Sequence, residues 1–189
     1  MASEPTYLVI DGENIDATLG MSVLSRRPDP EERPRWDRVL RFASGLFDTD
    51  TTKGLFFLNA SSGHLPMGFV QALLAMDYTP IPLSSDDAED KVVDIGIQRM
   101  LDAIRASGRG NVLLGSHDGD FVPQVEALLA AGHRVGVLAF PEFLSSSLAQ
   151  LVPEGLEVCD LEHDVHAFQV SLPRLKIIPL DEFRPEAFL

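Results

Sequence analysis

Cationic side chains are scarce in this chain. Of its 189 residues 15 are Lys or Arg and 29 are Asp or Glu, a formal net charge of −14 at pH 7 with histidine neutral. A protein that coats nucleic acid by bulk electrostatics, or that sits on an anionic membrane surface, draws on Lys and Arg. The balance excludes both roles, but not an acidic pocket that holds metal ions. Cysteine is nearly absent too. Cys159 alone can form no intrachain disulfide, which fits a reducing compartment, and beside Val158 it reads as a small buried hydrophobe. The opening MASEPTYLVIDG lacks a basic region followed by a long apolar stretch, so no signal peptide is expected. Apolar runs are only a few residues long, against about 20 needed to span a bilayer. A cytoplasmic setting without a membrane partner is expected. Neither GxxxxGK with Ser or Thr nor GxGxxG occurs, so no Gly-rich phosphate loop is present. No nucleophile elbow is visible, and the scattered His residues with one Cys do not suggest zinc.

What is present is ordinary globular composition, 45% hydrophobic and 23% charged, with enough apolar material for one core. Short apolar runs alternate with helical patterns. Residues 7–10, 55–58, 80–83, 112–114 and 135–138 read as strands covered on both faces, as in a parallel sheet. Helices are expected at about 35–47, 65–76, 89–106 and 120–131. In the last, Phe121, Val125, Leu128 and Leu129 recur at helical spacing and Gly132 stands at the stop position. This order implies βαβ units and a three-layer α/β/α sandwich with a mainly parallel central sheet. The segment 25–35 (SRRPDPEERPR) reads as a surface loop. The alternation fades after Asp160. Residues 1–160 are therefore expected to form the domain, and 161–189, with Pro173, Pro179 and Pro185, an extension that packs on it or on a partner.

In such sheets ligands bind beyond the carboxyl ends of the strands, and acidic residues are delivered to that edge from three places. Asp11 follows strand 1, Asp118 and Asp120 follow strand 4, and Asp94 lies in the opening turns of the helix after strand 3. These carboxylates, distant in sequence, should converge. Each also has a plain reading. Asp11-Gly12 can be a tight turn, Asp118 a turn residue and Asp120 a helix N-cap. Asp94 interrupts apolar neighbours, and a partly buried carboxylate needs a cation or hydrogen bonds. Lys91, three residues earlier, can supply that cation. Crowded carboxylates repel unless neutralised, and hard oxygen ligands select Mg2+ or Mn2+. A divalent ion so held can activate water and stabilise phosphoryl oxygens, which points to phosphodiester hydrolysis.

The segments YLVIDGENI (7–15), KVVDI (91–95) and GSHDGDFVPQVEALLAAGHRVG (115–136) together resemble the NYN domain family, a branch of the PIN-like nucleases. The resemblance covers residues 7 to about 140. It implies a PIN-like (Rossmann-like) fold and a Mg2+- or Mn2+-dependent ribonuclease site, with Asp11, Asp94, Asp118 and Asp120 as the catalytic, metal-holding positions and Asn14 beside them. Lys91, Ser116 and His117 join Asn14 as candidates for substrate contact. This chain departs from the family pattern at His117, where Gly commonly precedes the aspartate, and at Val92, where Gly commonly follows the lysine. Met100 stands where some relatives carry another acid.

Other residues rank lower. Glu13 is a possible ligand or base, but suits the first turn of a helix equally. Asp86, Asp87, Glu89 and Asp90 read as solvated loop and cap residues, His64 and His133 as structural, and Trp36 as packing rather than a base-stacking platform. Residues 160–166 hold possible ligands without a recognised spacing. Basic contacts to RNA could come from Arg26, Arg27, Arg33, Arg35, Arg38 and Arg41. The partner implied is a short single-stranded or structured RNA segment, with a homo-oligomer or a basic protein partner as a further possibility. The alternative to a ribonuclease is a catalytically weak RNA- or protein-binding regulatory module. A phosphotransfer domain using Asp11 as nucleophile ranks below both, because the residue two beyond is Glu13 rather than Asp.

Overall fold

A computed structural model describes residues 4–87 and 91–189. Six strands form one sheet in the order β3-β2-β1-β4-β5-β6: β1 (Thr6–Asp11), β2 (Thr52–Asn59), β3 (Tyr78–Leu83), β4 (Asn111–Gly115), β5 (Val135–Ala139) and β6 (Glu157–Asp160). Every pairing is parallel. The helices are α1 (Gly12–Ala17), α2 (Trp36–Leu46), α3 (Met67–Ala75), α4 (Val92–Ser107), α5 (Val122–Ala130) and the short α6 (Ser146–Ala149).

Successive side chains of a strand point to opposite faces, and the two cores follow from that. Leu8, Ile10, Phe56, Leu113 and Leu138 join one apolar cluster with residues of α1, α2 and α3. Val9, Leu55, Phe57, Val112, Leu114, Val135 and Val137 join the other, with α4, α5 and Leu148 of α6. The expected three-layer α/β/α sandwich is therefore the observed one. Chain order reverses between β1 and β4, the first strand of each half, and a switch of this kind opens a crevice at the carboxyl ends.

Three local features differ from the sequence expectation. β6 was not anticipated, because only four residues, Glu157–Asp160, pair with β5 at the sheet edge and one of them is charged at each end. The helix after β1 continues past Ala17 as a π-type turn over Thr18–Leu24 and ends at Ser25 in the left-handed conformation (φ 56°). β3 starts earlier than expected and accommodates Pro80 and Pro82, because it pairs with β2 alone. Prolines two apart leave their missing N–H groups on the same, unpaired side of an edge strand.

Beyond β6 the chain lies on the body of the protein as far as Arg174, and residues 175–189 are exposed throughout. Leu161, Val165, Ala167, Phe168 and Leu172 are buried in the α1–α2–α3 core, and the Arg38 guanidinium donates to the carbonyls of His166 and Phe168. The packed part of this segment ends in a nearly buried ion cluster. Arg174 donates to Glu142 (2.6 Å), Asp160 (2.7 Å) and Glu162 (3.2 Å), with its guanidinium 4.8 Å from the Phe140 ring centre. Burial alone would raise the pKa of Glu142 and Asp160; hydrogen bonds and charge from Arg174 outweigh it, and both sit below the usual carboxylate range. Removing one partner of such a cluster leaves uncompensated buried charge. Arg174→Ala is therefore expected to cost about 3 kcal/mol, read as a lower urea midpoint, with the loss largest at neutral pH where the three acids are ionised.

Candidate metal centre

The acidic edge is assembled by backbone geometry. β1 ends in Asp11, whose carboxylate caps α1 by accepting the Asn14 N–H at 3.1 Å. Gly12 is not part of a tight turn: it is the first residue of α1, and a Cβ there would lie 2.5 Å from the Phe56 ring. After β4 the chain runs through Ser116 and His117 to Asp118, whose side chain accepts the Asp120 N–H at 2.9 Å. The cap of this turn is therefore Asp118, and the Asp120 carboxylate is left for other work. Gly119 lies between them, packed so closely under Ser145 and Ser147 that a Cβ would meet their hydroxyls at 2.6 and 2.7 Å. The third contributor is the first turn of α4. Val93, Ile97 and Leu101, spaced by four, are buried and hold that helix to the sheet, which brings Asp94 to the same edge.

Asp94, Asp118 and Asp120 each offer a carboxylate oxygen, and the three oxygens lie within 4.8 Å of one another. Among the described residues this is the only such grouping of potential metal ligands. The Lys91 ammonium sits against it, 2.8 Å from Asp120 Oδ2 and 3.5 Å from Asp94 Oδ2. Lys91 is 65% exposed, so solvent screens the pair and holds it only weakly. Burial raises the Asp94 pKa, Lys91 pulls it down, and Asp118 and Asp120 push it up; the net direction is upward. Gln98, one turn beyond Asp94, donates to the Asp120 carbonyl at 3.1 Å and ties the loop to α4. Sequence reasoning passed over Gln98, although its i+4 spacing from Asp94 was the available signal.

Asp11 stands apart from this trio. It is buried, with its second oxygen 3.3 Å from the Ser116 hydroxyl, and that hydroxyl in turn accepts the Asp118 N–H. Burial pushes its pKa up to about 6, and the charges of Asp94 and Glu13 add to the rise. His117 is buried as well. Its Nε2 accepts the Phe140 N–H at 2.8 Å, so the proton must be on Nδ1, which donates to Asn14 Oδ1 at 3.0 Å. The backbone N–H of His117 donates to the same Asn14 oxygen at 2.8 Å. The ring stacks on Phe140 with centres 5.6 Å apart, and burial pushes its pKa down to about 4. Both ring nitrogens are thus spent inside the protein, joining α1, the β4 loop and the end of β5.

The remaining candidates are scattered. Arg26 pairs with Glu32, Arg33 with Asp16 and Arg35 with Asp37, and Arg38 binds backbone carbonyls, so three of the six arginines of this stretch are ion-paired in place. Asp160 is engaged by Arg174 and by the N–H groups of Glu162 and His163. Glu13 is exposed in the first turn of α1, and Asp86 and Asp87 are exposed in the loop after β3. Glu89 and Asp90 lie outside the described residues. His133 binds the Gly110 carbonyl, the Cys159 thiol is buried, and Trp36 packs edge-on against Phe56. No described helix is long and apolar enough to cross a membrane.

The two buried titrating groups act on stability with opposite sign. Asp11 holds its proton more tightly folded than unfolded, so its contribution is complete below about pH 4 and is lost as pH rises through about 6. His117 resists protonation when folded, so its contribution is complete above about pH 6.5 and is lost as pH falls towards 4. In metal-free buffer Asp11→Asn should melt higher than wild type at pH 8, by a few degrees. That advantage should vanish near pH 4. Thermal melts across this range check it; an advantage independent of pH would contradict the assignment.

A family model described as "NYN domain" matches residues 5–154. The solved structure of a protein of unknown function from Vibrio parahaemolyticus superposes with a TM-score of 0.66 at 18% identity, covering 86% of this chain and 95% of that one, a likeness of fold alone. The nicotinamidase SaPncA from Staphylococcus aureus superposes at a TM-score of 0.42 and 14% identity, covering 83% of this chain and 99% of that one, too weakly to bear on the site. No curated protein matches the chain in sequence. With the family model spanning most of the sequence, the chain belongs to the NYN domain family.

Proposed function

We propose that this protein is a Mg2+- or Mn2+-dependent ribonuclease whose ion is held by Asp94, Asp118 and Asp120. The observation that carries this reading is the three carboxylate oxygens within 4.8 Å, with the Lys91 ammonium standing where a cation is needed. The donor set fits: all-oxygen, acidic and partly exposed, which suits a hard ion that keeps several waters. When bound, the ion would supply an activated water and charge stabilisation for the phosphoryl oxygens.

The chain's own residues do the rest. Asp118 holds the turn that aims Asp120, and Gln98 fixes that turn to α4. Asp11 and Ser116 form the floor beneath the trio: the Ser116 hydroxyl links the Asp11 carboxyl to the Asp118 backbone. A bound cation would favour the ionised form of Asp11, whose pKa burial raises. Asn14 spends its carbonyl oxygen on His117, which leaves its NH2 as a donor for a phosphate oxygen. Lys91, exposed and beside Asp94 and Asp120, would offer its ammonium to a phosphate oxygen at the trio. His117 serves as a positioning residue rather than a proton carrier, since both nitrogens are engaged.

A binding module without turnover is the second reading. Its specific support is the same Lys91 contact, which satisfies the acids without a metal.

Incubation of single-stranded and structured RNAs with the protein should give cleavage with Mg2+ or Mn2+ and none with excess chelator. Asp94→Asn and Asp118→Asn, folded by circular dichroism, should each lose about 100-fold or more in rate, the scale on which removal of one such stabilising group acts. Unchanged rates in both variants would overturn the mechanism; RNA binding without cleavage in any metal would favour the module. Lys91→Ala should bind Mn2+ several-fold more tightly by calorimetry, because the competing ammonium is gone. Weaker binding would show instead that Lys91 supports the metal site.

A further inference from the structure

On the other face of the sheet edge, directly after Asp11, the structure holds an open cleft of about 470 Å3 that the proposed metal chemistry does not use. Its walls are aromatic and aliphatic: Trp36, Phe56, Leu58 and Phe69. The ring of Phe56 meets Trp36 at 4.9 Å between centres and Phe69 at 5.3 Å, with planes at 85° and 78°. Phe56 and Trp36 are nearly buried and show the cleft only their edges, while Phe69 is the more open ring. The rim is polar. Asn59 spends its carbonyl oxygen on the Ser61 N–H and keeps its NH2, while Arg33 and Asp16 form an exposed pair at 3.5 Å. Gly12 and Glu13 complete the lining, so the cleft begins one residue from the carboxyl that underlies the metal trio.

We infer that this cleft receives an unpaired nucleobase of the RNA whose phosphate lies at Asp94, Asp118 and Asp120; the inference rests on the ribonuclease reading and narrows its substrate to single-stranded segments. Three observations support the occupant. Aromatic side chains are the sequence-tolerant platform for bases. The rim offers both hydrogen-bond donors (Asn59, Arg33) and acceptors (Asp16, Glu13) to a base edge. The third is charge: a chain at net −14 in which Arg26, Arg33 and Arg35, near the cleft in sequence, are already ion-paired has little cation to spend on phosphates, whereas stacking is insensitive to that deficit. A base still paired in a duplex cannot enter.

Trp36 is the only tryptophan, so its emission reports on the cleft without labels. The full chain, in chelator and low salt, is titrated with nucleoside 5′-monophosphates, a short unstructured oligoribonucleotide, ribose 5-phosphate and a blunt RNA duplex. Saturable change of Trp36 emission is expected with the first two and not with the last two. Its midpoint should move little between low and physiological salt for the monophosphates. Leu58→Phe, which fills the cleft, should weaken that binding by about tenfold or more, the scale of losing one base–aromatic stack, with an unchanged circular dichroism spectrum. Absence of any emission change with nucleotides, or equal response in Leu58→Phe, would overturn the inference. Because the titration uses no metal and no turnover, it separates the two readings. Base binding without RNA cleavage in Mg2+ or Mn2+ would leave the cleft assignment standing and sink the nuclease; cleavage without base binding would do the reverse.

Discussion

Three carboxylates gathered within 4.8 Å at the rim of a protein repel one another, and a nearby cation or a raised pKa relieves that repulsion. The carboxyl edge of this sheet is built around that constraint. Asp94 and Asp120 face the Lys91 ammonium, and the Asp118 carboxylate is partly spent on a backbone N–H. Asp11 escapes the crowd by lying deeper, where burial favours its protonated form. The exposure of Lys91 makes its ammonium a replaceable partner rather than a permanent one.

Holding such a rim rigid is the task of the interior beneath it. A continuous series of contacts runs from Asn14 through His117 to Phe140, then to Phe168, stacked 5.8 Å away, and to Arg174, whose guanidinium lies over the Phe140 ring. This series joins α1, the β4 loop, the end of β5 and the segment after β6. It explains why a buried histidine is accepted immediately before Asp118: the imidazole makes two hydrogen bonds that a glycine there could not. It also gives residues 161–174 a physical role, since they close one core and bring a single guanidinium against three acids.

The acidity of the chain takes on a different meaning once positions are known. Part of it is confined to internal ion clusters, part to the proposed metal site, and the rest faces solvent. Nucleic acid meeting such a surface cannot be held by a positive coat. On the reading proposed above, the attractions would be a divalent ion, which reverses the sign of the field locally, and apolar stacking in the neighbouring cleft.

Much of this was legible along the chain. The five strand runs, four of the helices and the sandwich followed from unbroken apolar runs and helical periodicity, because strands covered on both faces must be apolar throughout. The four aspartates were legible because each follows a strand end or opens a helix. What the sequence alone could not supply was which of these share a site. The depth that separates Asp11 from the trio, the capture of both His117 nitrogens and the pairing of the arginines all depend on contacts between residues distant in the chain. So does the meeting of Trp36, Phe56 and Phe69 around one cleft. Local pattern determines elements and the edge to which they deliver a side chain. Burial, which sets a carboxyl's protonation and a ring's availability, is a property of what packs against it, and only the tertiary structure decides that.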